Sequence, residues 1–132
     1  FRINQLFREL TKNKKIKSIK LQVKGREFMI PEFYEGVVKF DFKNLCDVNL
    51  GAEDYIKISD LCEHIFILGI PKFNDSNANQ QQRFITMIDI FYEKKILLLL
   101  SMDSNLTNLG SSNKLARPFK RTLSRLFELT SL

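Results

Sequence analysis

With 132 residues, 44% of them hydrophobic, the chain has enough apolar surface for one core of its own, which excludes a mainly disordered polymer. Its 21 lysines and arginines outnumber 15 acidic residues, a net charge of +6 that favours anionic partners such as nucleotides, nucleic acid or acidic lipid but says nothing about fold. The longest apolar run, Ile96 to Leu100, is far short of the roughly 20 residues a membrane helix needs. The chain begins at Phe1 with neither a methionine nor a targeting segment, so it reads as a piece of a longer protein.

Ile3, Leu6, Phe7 and Leu10 recur at helical spacing and predict a short amphipathic helix, which TKNKK ends with solvated charge. IKLQV at residues 19–23 alternates, Gly25-Arg26 breaks the pattern, and EFMI resumes before Pro31, predicting a β-hairpin. A third strand is expected over Val37 to Phe42, and a helix between Ala52 and His64. IFILGIP at 65–71 and KILLLLS at 95–101 are continuous apolar runs bounded by breakers, the pattern of strands buried on both faces in a parallel sheet. Between them lie a polar loop, FNDSNANQQQ, and a helix from Gln82 to Glu93 with Phe84, Ile85, Ile88, Phe91 and Tyr92 along one side. Strand, helix, strand is a βαβ unit, whose crossover is expected to be right-handed. The stretch SMDSNLTNLGSSNKLA is low in apolar content and is expected to be mobile. Pro118 then fits the first turn of a final helix with Phe119, Leu123, Leu126 and Phe127 as its buried stripe. The organisation expected is a single segment over 1–132, with residues 1–45 as a helix plus hairpin and strand region and 46–132 as an α/β part with a terminal helix.

Few of these residues carry recognisable chemistry. The sequence has no glycine-rich phosphate loop, no HExxH and no spaced Ser/His/Asp set. Cys46 and Cys62 lack CxxC spacing and accompanying histidines, so no metal site is expected and both read as small buried hydrophobes. His64 is the only histidine, and at a helix end it would complement the negative pole of the dipole. The lysines at 12, 14, 15, 17, 20 and 24 are not interleaved with aromatics, which makes them a solvated face before a nucleic-acid surface. Arg83, Thr86, Asp89 and Glu93 project opposite the apolar stripe of their helix, and no second polar group can be placed beside Asp89 from spacing. On the final helix Arg121 and Arg125 lie one turn apart and repel each other by a few tenths of a kcal/mol. Arg125 has Glu128 within reach as an ion-pair partner, while two arginines so spaced would also suit a polyphosphate. Spacing does not choose between these.

Taken in order, GREFMIP, FDFKNLC, LGAEDY, the Ile70-Pro71 pair, RFITMIDIFYEKK and FKRTLSRLFEL resemble the C-terminal part of one AAA+ family, which includes the bacterial cell-division ATPase ZapE and the mitochondrial ATPase-family-gene-one proteins. The resemblance covers nearly the whole chain. It implies an α/β fold, the C-terminal portion of a P-loop NTPase with a mixed or parallel sheet, and a parent that hydrolyses ATP with magnesium. The phosphate-binding loop would lie upstream of Phe1, so this segment alone should be inactive. On matching positions, Arg83, Arg121 and Arg125 become candidate sensors or arginine fingers that stabilise charge on the transferring phosphate. The resemblance further implies protein substrates, remodelling or mitochondrial quality control, a homo-oligomer with ATP at subunit boundaries, and peripheral membrane association. The compartment would be the mitochondrial matrix or inner membrane in a eukaryote and the cytoplasm in a bacterium. The alternatives are a non-catalytic descendant serving as a structural or assembly subunit, and a basic nucleic-acid-binding module. There are departures from the family pattern: Gln82-Arg83 stands where two arginines are usual, Gly69 where an acidic residue is usual, and the stretch after Ser101 lacks the usual proline and tyrosine.

Overall fold

The computed structural model describes residues 2–130. Helix α1 (Arg2–Thr11) leads into a hairpin of β1 (Lys17–Val23) and β2 (Arg26–Phe33), in which Val23 faces Arg26 across a two-residue turn. Lys24 and Gly25 take φ values of 48° and 79°, the left-handed pair whose twist matches that of the flanking strands. The sequence ends the second strand before Pro31, whereas β2 continues to Phe33. Ile30 faces Ile19 and Phe33 faces Lys17, so two residues of β2 oppose one of β1. This bulge accommodates a proline that has no N–H to give the ladder.

Strands β3 (Val37–Asp41), β4 (His64–Ile70) and β5 (Leu97–Met102) form a parallel sheet in the order β3-β4-β5. Parallel neighbours need crossover connections. Helix α3 (Ala52–Leu61) supplies the first and α4 (Ala78–Glu93) the second, so there are two βαβ units where the sequence reading identified one. Helices on both faces explain the unbroken apolar run of β4: Ile65, Phe66 and Ile67 are all fully buried. On one face Phe7 of α1 meets Tyr34 and Phe66 edge-on, at ring separations of 5.4 and 5.2 Å. On the other, a larger core joins Ile65 and Ile67 to Tyr55, Phe84, Phe91 and Leu126, and reaches Leu21 and Ile30 of the hairpin. The last helix, α5 (Ala116–Leu129), packs along α4.

Several boundaries differ from the sequence reading, each for a local reason. Phe42 opens a short helix, α2 (Phe42–Cys46), because the Asp41 N–H turns back to donate to Asn44 Oδ1 at 3.2 Å. Helix α3 stops at Leu61, and Cys62 is extended, so His64 begins β4 and caps no helix. Its Nδ1 is buried without a hydrogen-bond partner among the described residues. Gln81, expected in a loop, is buried in α4; its Nε2 donates to Ser111 Oγ at 2.8 Å and its Oε1 accepts the Ser112 N–H at 2.9 Å. The stretch expected to be mobile is thereby anchored. It also buries Leu109 and bridges Gly110 to Phe73. Finally, Phe127 is 48% exposed, and Thr122 takes its expected place in the buried stripe of α5 beside Phe119 and Leu126.

Candidate functional site

The packing of α5 on α4 brings Arg121 and Arg125 to the carboxylate of Asp89. Arg125 Nη1 donates to Asp89 Oδ1 at 2.6 Å, and its guanidinium lies over the Tyr92 ring, 4.6 Å from the centroid. Arg121 Nη2 donates to Asp89 Oδ2 at 3.4 Å. The repulsion between two cations one turn apart is therefore answered by a carboxylate from another helix. Glu128, the partner suggested by spacing, acts elsewhere: its hydrogen bond and its charge hold the Tyr92 phenol above its ordinary pKa.

The two arginines are not equivalent. The Arg125 side chain is 22% exposed and spans Asp89 and an aromatic face, whereas that of Arg121 is 62% exposed. A guanidinium carries five N–H donors. Arg121 commits one of them to a long contact and presents the others to solvent, so it can grip an oxyanion without leaving its helix. Arg125 is a strut.

Arg83 is not brought to this pair. Its Nη1 donates to the Cys46 carbonyl at 3.0 Å, where it satisfies the end of α2 and complements the negative pole of that helix. Six residues separate Arg83 from Asp89 along α4, about 9 Å of helix, and the two side chains serve different neighbours.

Sequence reasoning missed a second polar node. Asp54, only 2% exposed, accepts from Arg26 Nη2 at 2.8 Å and from the Gly51 N–H at 2.8 Å, while Arg26 Nη1 donates to the Asn49 carbonyl at 2.8 Å. The Tyr55 hydroxyl, also buried, donates to the Leu45 carbonyl at 2.6 Å. Burial raises the pKa of Tyr55 and pushes the Cys46 and Cys62 thiols up to about 12. These contacts join the recognised motifs in pairs. GREFMIP meets LGAEDY through Arg26 and Asp54; FDFKNLC meets LGAEDY through Leu45 and Tyr55, and RFITMID through Cys46 and Arg83. RFITMID meets FKRTLSR through Asp89. The only legible hint was Asp54 three residues after Gly51, the spacing at which a side chain returns to a helix N-terminus.

A parallel sheet with helical crossovers and a separate antiparallel hairpin fits a fragment of a P-loop NTPase fold. The family model for AFG1-like ATPases matches residues 2–132, and the chain belongs to that family. Lactation elevated protein 1 homolog B of Danio rerio is 30% identical over 129 residues, which cover 96% of this chain and 26% of the relative. Cell division protein ZapE of Escherichia coli K12 is 26% identical over 129 residues, covering 98% of this chain and 34% of the relative. The chain thus spans between a quarter and about a third of the length of these relatives. No solved structure matches it.

Proposed function

We propose that this segment is the C-terminal portion of an AAA+ type ATPase that remodels proteins, and that Arg121 is the residue by which it reads ATP. The observation that carries this is the asymmetry of the arginine pair: one guanidinium fixed between Asp89 and Tyr92, the other exposed with donors to spare. The surroundings of Arg121 suit an anion. The first turn of α5 has no acidic residue, and Arg117 and Lys120 beside it are exposed, so the local potential is positive.

The residues fit nucleotide phosphates better than they fit magnesium. The Asp89 carboxylate is already shared between two guanidinium groups, and no cluster of three potential metal ligands occurs among the described residues. Magnesium would supply charge neutralisation to the phosphates from a site built elsewhere in the parent. Within this segment, Arg121 exchanges its long bond to Asp89 for phosphate oxygens and neutralises charge that develops on the transferred group. Arg125 keeps α5 in register on α4 meanwhile. Arg83 acts at one remove, by fixing α2 against α4.

The bacterial relative is named for cell division. For a eukaryotic parent we favour protein quality control in the mitochondrial matrix or at the inner membrane; for a bacterial parent, the cytoplasm. Protein substrates, a homo-oligomer with ATP at its boundaries and peripheral membrane contact complete the reading. A non-catalytic descendant is the second reading, favoured by Gly69. That residue sits at φ +72° in a break of the β4–β5 register, where a family carboxylate would be usual. The test is steady-state ATP hydrolysis by the full-length parent. The catalytic reading expects turnover that falls by a factor of about a thousand on Arg121→Ala. No turnover in the unaltered parent would establish the second reading.

A further inference from the structure

From Thr11 to Arg26 the chain carries six lysines and one arginine and no acidic residue. Three of these cations are committed within the fold: Lys20 to Glu27 at 3.7 Å, Lys24 to Glu53 at 2.9 Å and Arg26 to Asp54 at 2.8 Å. The lysines of the loop between α1 and β1, and of the first position of β1, are not. None of Lys12, Lys14, Lys15 and Lys17 has an ion-pair partner among the described residues. The nucleotide-reading role of Arg121 leaves this charge unused.

The loop is nonetheless fixed in shape. The Lys14 N–H donates to the Thr11 carbonyl at 3.0 Å. Glu35, at φ 50° in the turn between β2 and β3, reaches back to the same loop: its carboxylate accepts the Lys15 N–H at 3.0 Å and its carbonyl accepts from Lys14 Nζ at 3.2 Å. With the backbone so tied, the side chains of Lys12, Lys15, Ile16 and Lys17 are all exposed. Ile16, flanked by Lys15 and Lys17, is 53% exposed, the most of any large apolar side chain among the described residues. Further along the hairpin Lys20 stands opposite Met29, itself 48% exposed. A lone exposed isoleucine is commonplace. Here it is set among unpaired positive charges, and the combination selects a partner.

We infer that this loop docks the parent on a membrane surface rich in anionic lipid. The lysines are drawn to the headgroups, and Ile16 enters the boundary between headgroups and acyl chains. A lysine close to such a surface strengthens partitioning about fivefold, so Lys12, Lys15 and Lys17 together supply on the order of a hundredfold. Compact ammonium charges on flexible stems suit a diffuse negative surface. A nucleic-acid site sets stacking rings or arginine forks among its charges, and residues 11–25 contain neither. A phosphate backbone also offers Ile16 nowhere to bury. The inference rests on the peripheral membrane contact included in the proposed function and is independent of Arg121.

It is tested by co-sedimentation of the full-length parent with vesicles of phosphatidylcholine alone and of phosphatidylcholine mixed with phosphatidylglycerol, at one salt concentration. Binding to the anionic vesicles is expected to be at least about tenfold tighter than to the neutral ones. The triple variant Lys12→Gln, Lys15→Gln, Lys17→Gln should weaken it by about a hundredfold, and Ile16→Ser by severalfold. Both should keep the melting temperature of the unaltered parent, since all four side chains are exposed. Absent or equal binding to the two kinds of vesicle removes the membrane contact and the loop's part in it together. A preference for anionic vesicles that the triple variant retains leaves the membrane contact standing and overturns its assignment to this loop. If Ile16→Ser binds as tightly as the unaltered parent, the lipid assignment fails. Duplex DNA bound more tightly than vesicles through the same lysines would likewise overturn it and identify a phosphate backbone as the partner.

Discussion

Replacement of Asp89 by alanine removes the one carboxylate that both arginines of α5 share. An exposed ion pair is worth about 0–1 kcal/mol, whereas breaking a buried one costs about 3–5 kcal/mol. The Arg125 pair lies between these limits, with side chains 22% and 33% exposed and a bond of 2.6 Å. The Tyr92 face remains as a partial substitute, worth about 0.5–1 kcal/mol. Arg121, already 62% exposed, turns to water at little cost. The repulsion between the two cations is no longer compensated and adds a few tenths of a kcal/mol. The net loss expected for Asp89→Ala is about 2 kcal/mol. With a urea slope of about 2 kcal/mol per molar, this lowers the denaturation midpoint of the 132-residue chain by about 1 M. Circular dichroism on the wild type, Asp89→Ala and Asp89→Asn would measure it, with the asparagine variant intermediate because its amide oxygen still accepts one hydrogen bond. A midpoint within about 0.2 M of the wild type in Asp89→Ala, about a fifth of the expected shift, would refute the reasoning and leave the contact without energetic weight.

Two further predictions concern positions remote from the arginines. Gly110→Ala should cost about 2–3 kcal/mol by the same assay, because Gly110 sits at φ +74° and a Cβ there would stand 2.8 Å from the Phe73 carbonyl oxygen. Gly25→Ala, at φ +79° with nothing within 4 Å, should cost only the roughly 1 kcal/mol of the left-handed conformation; equal losses would contradict the close-approach argument. The Cys46 and Cys62 thiols, raised from 9.0 to about 12 by burial, should resist a thiol reagent at pH 8 until urea unfolds the chain. Because their folded pKa values lie above the unfolded ones, the folded state holds its protons longer. That contribution to stability is complete below pH 9 and is lost as pH rises from there towards 12. Midpoints that stay flat across that window, or that rise, would contradict it.

The sheet was legible because two runs, Ile65 to Pro71 and Lys95 to Ser101, are apolar on both faces, and only a parallel strand between helices makes such a run favourable. The hairpin was legible through the break at Gly25-Arg26, one residue on from the Lys24-Gly25 turn of the structure. What escaped were decisions taken by partners distant in the chain. Gln81 looks like loop polarity until Ser111 and Ser112, some thirty residues on, make it a buried tether. Asp89 looks like a surface acid until α5 lies against it. In the candidate site, spacing identified Arg121 and Arg125 as neighbours, but it offered Glu128 where tertiary packing supplies Asp89. Arg83 was grouped with them by resemblance, and its side chain serves α2. Helical periodicity reports which residues share a face and is silent about which other helix that face meets.

The division of labour between Arg121 and Arg125 is tested most directly by one paired measurement: ATP turnover by the full-length parent with each arginine replaced by alanine, beside the urea midpoint of the corresponding 132-residue chains. Arg121→Ala should cut kcat by a factor of about a thousand with the midpoint unchanged. Arg125→Ala should lower the midpoint by about 0.5–1 M. Full turnover in Arg121→Ala would contradict its phosphate-reading role, and a midpoint that falls as far as that of Arg125→Ala would make both residues struts.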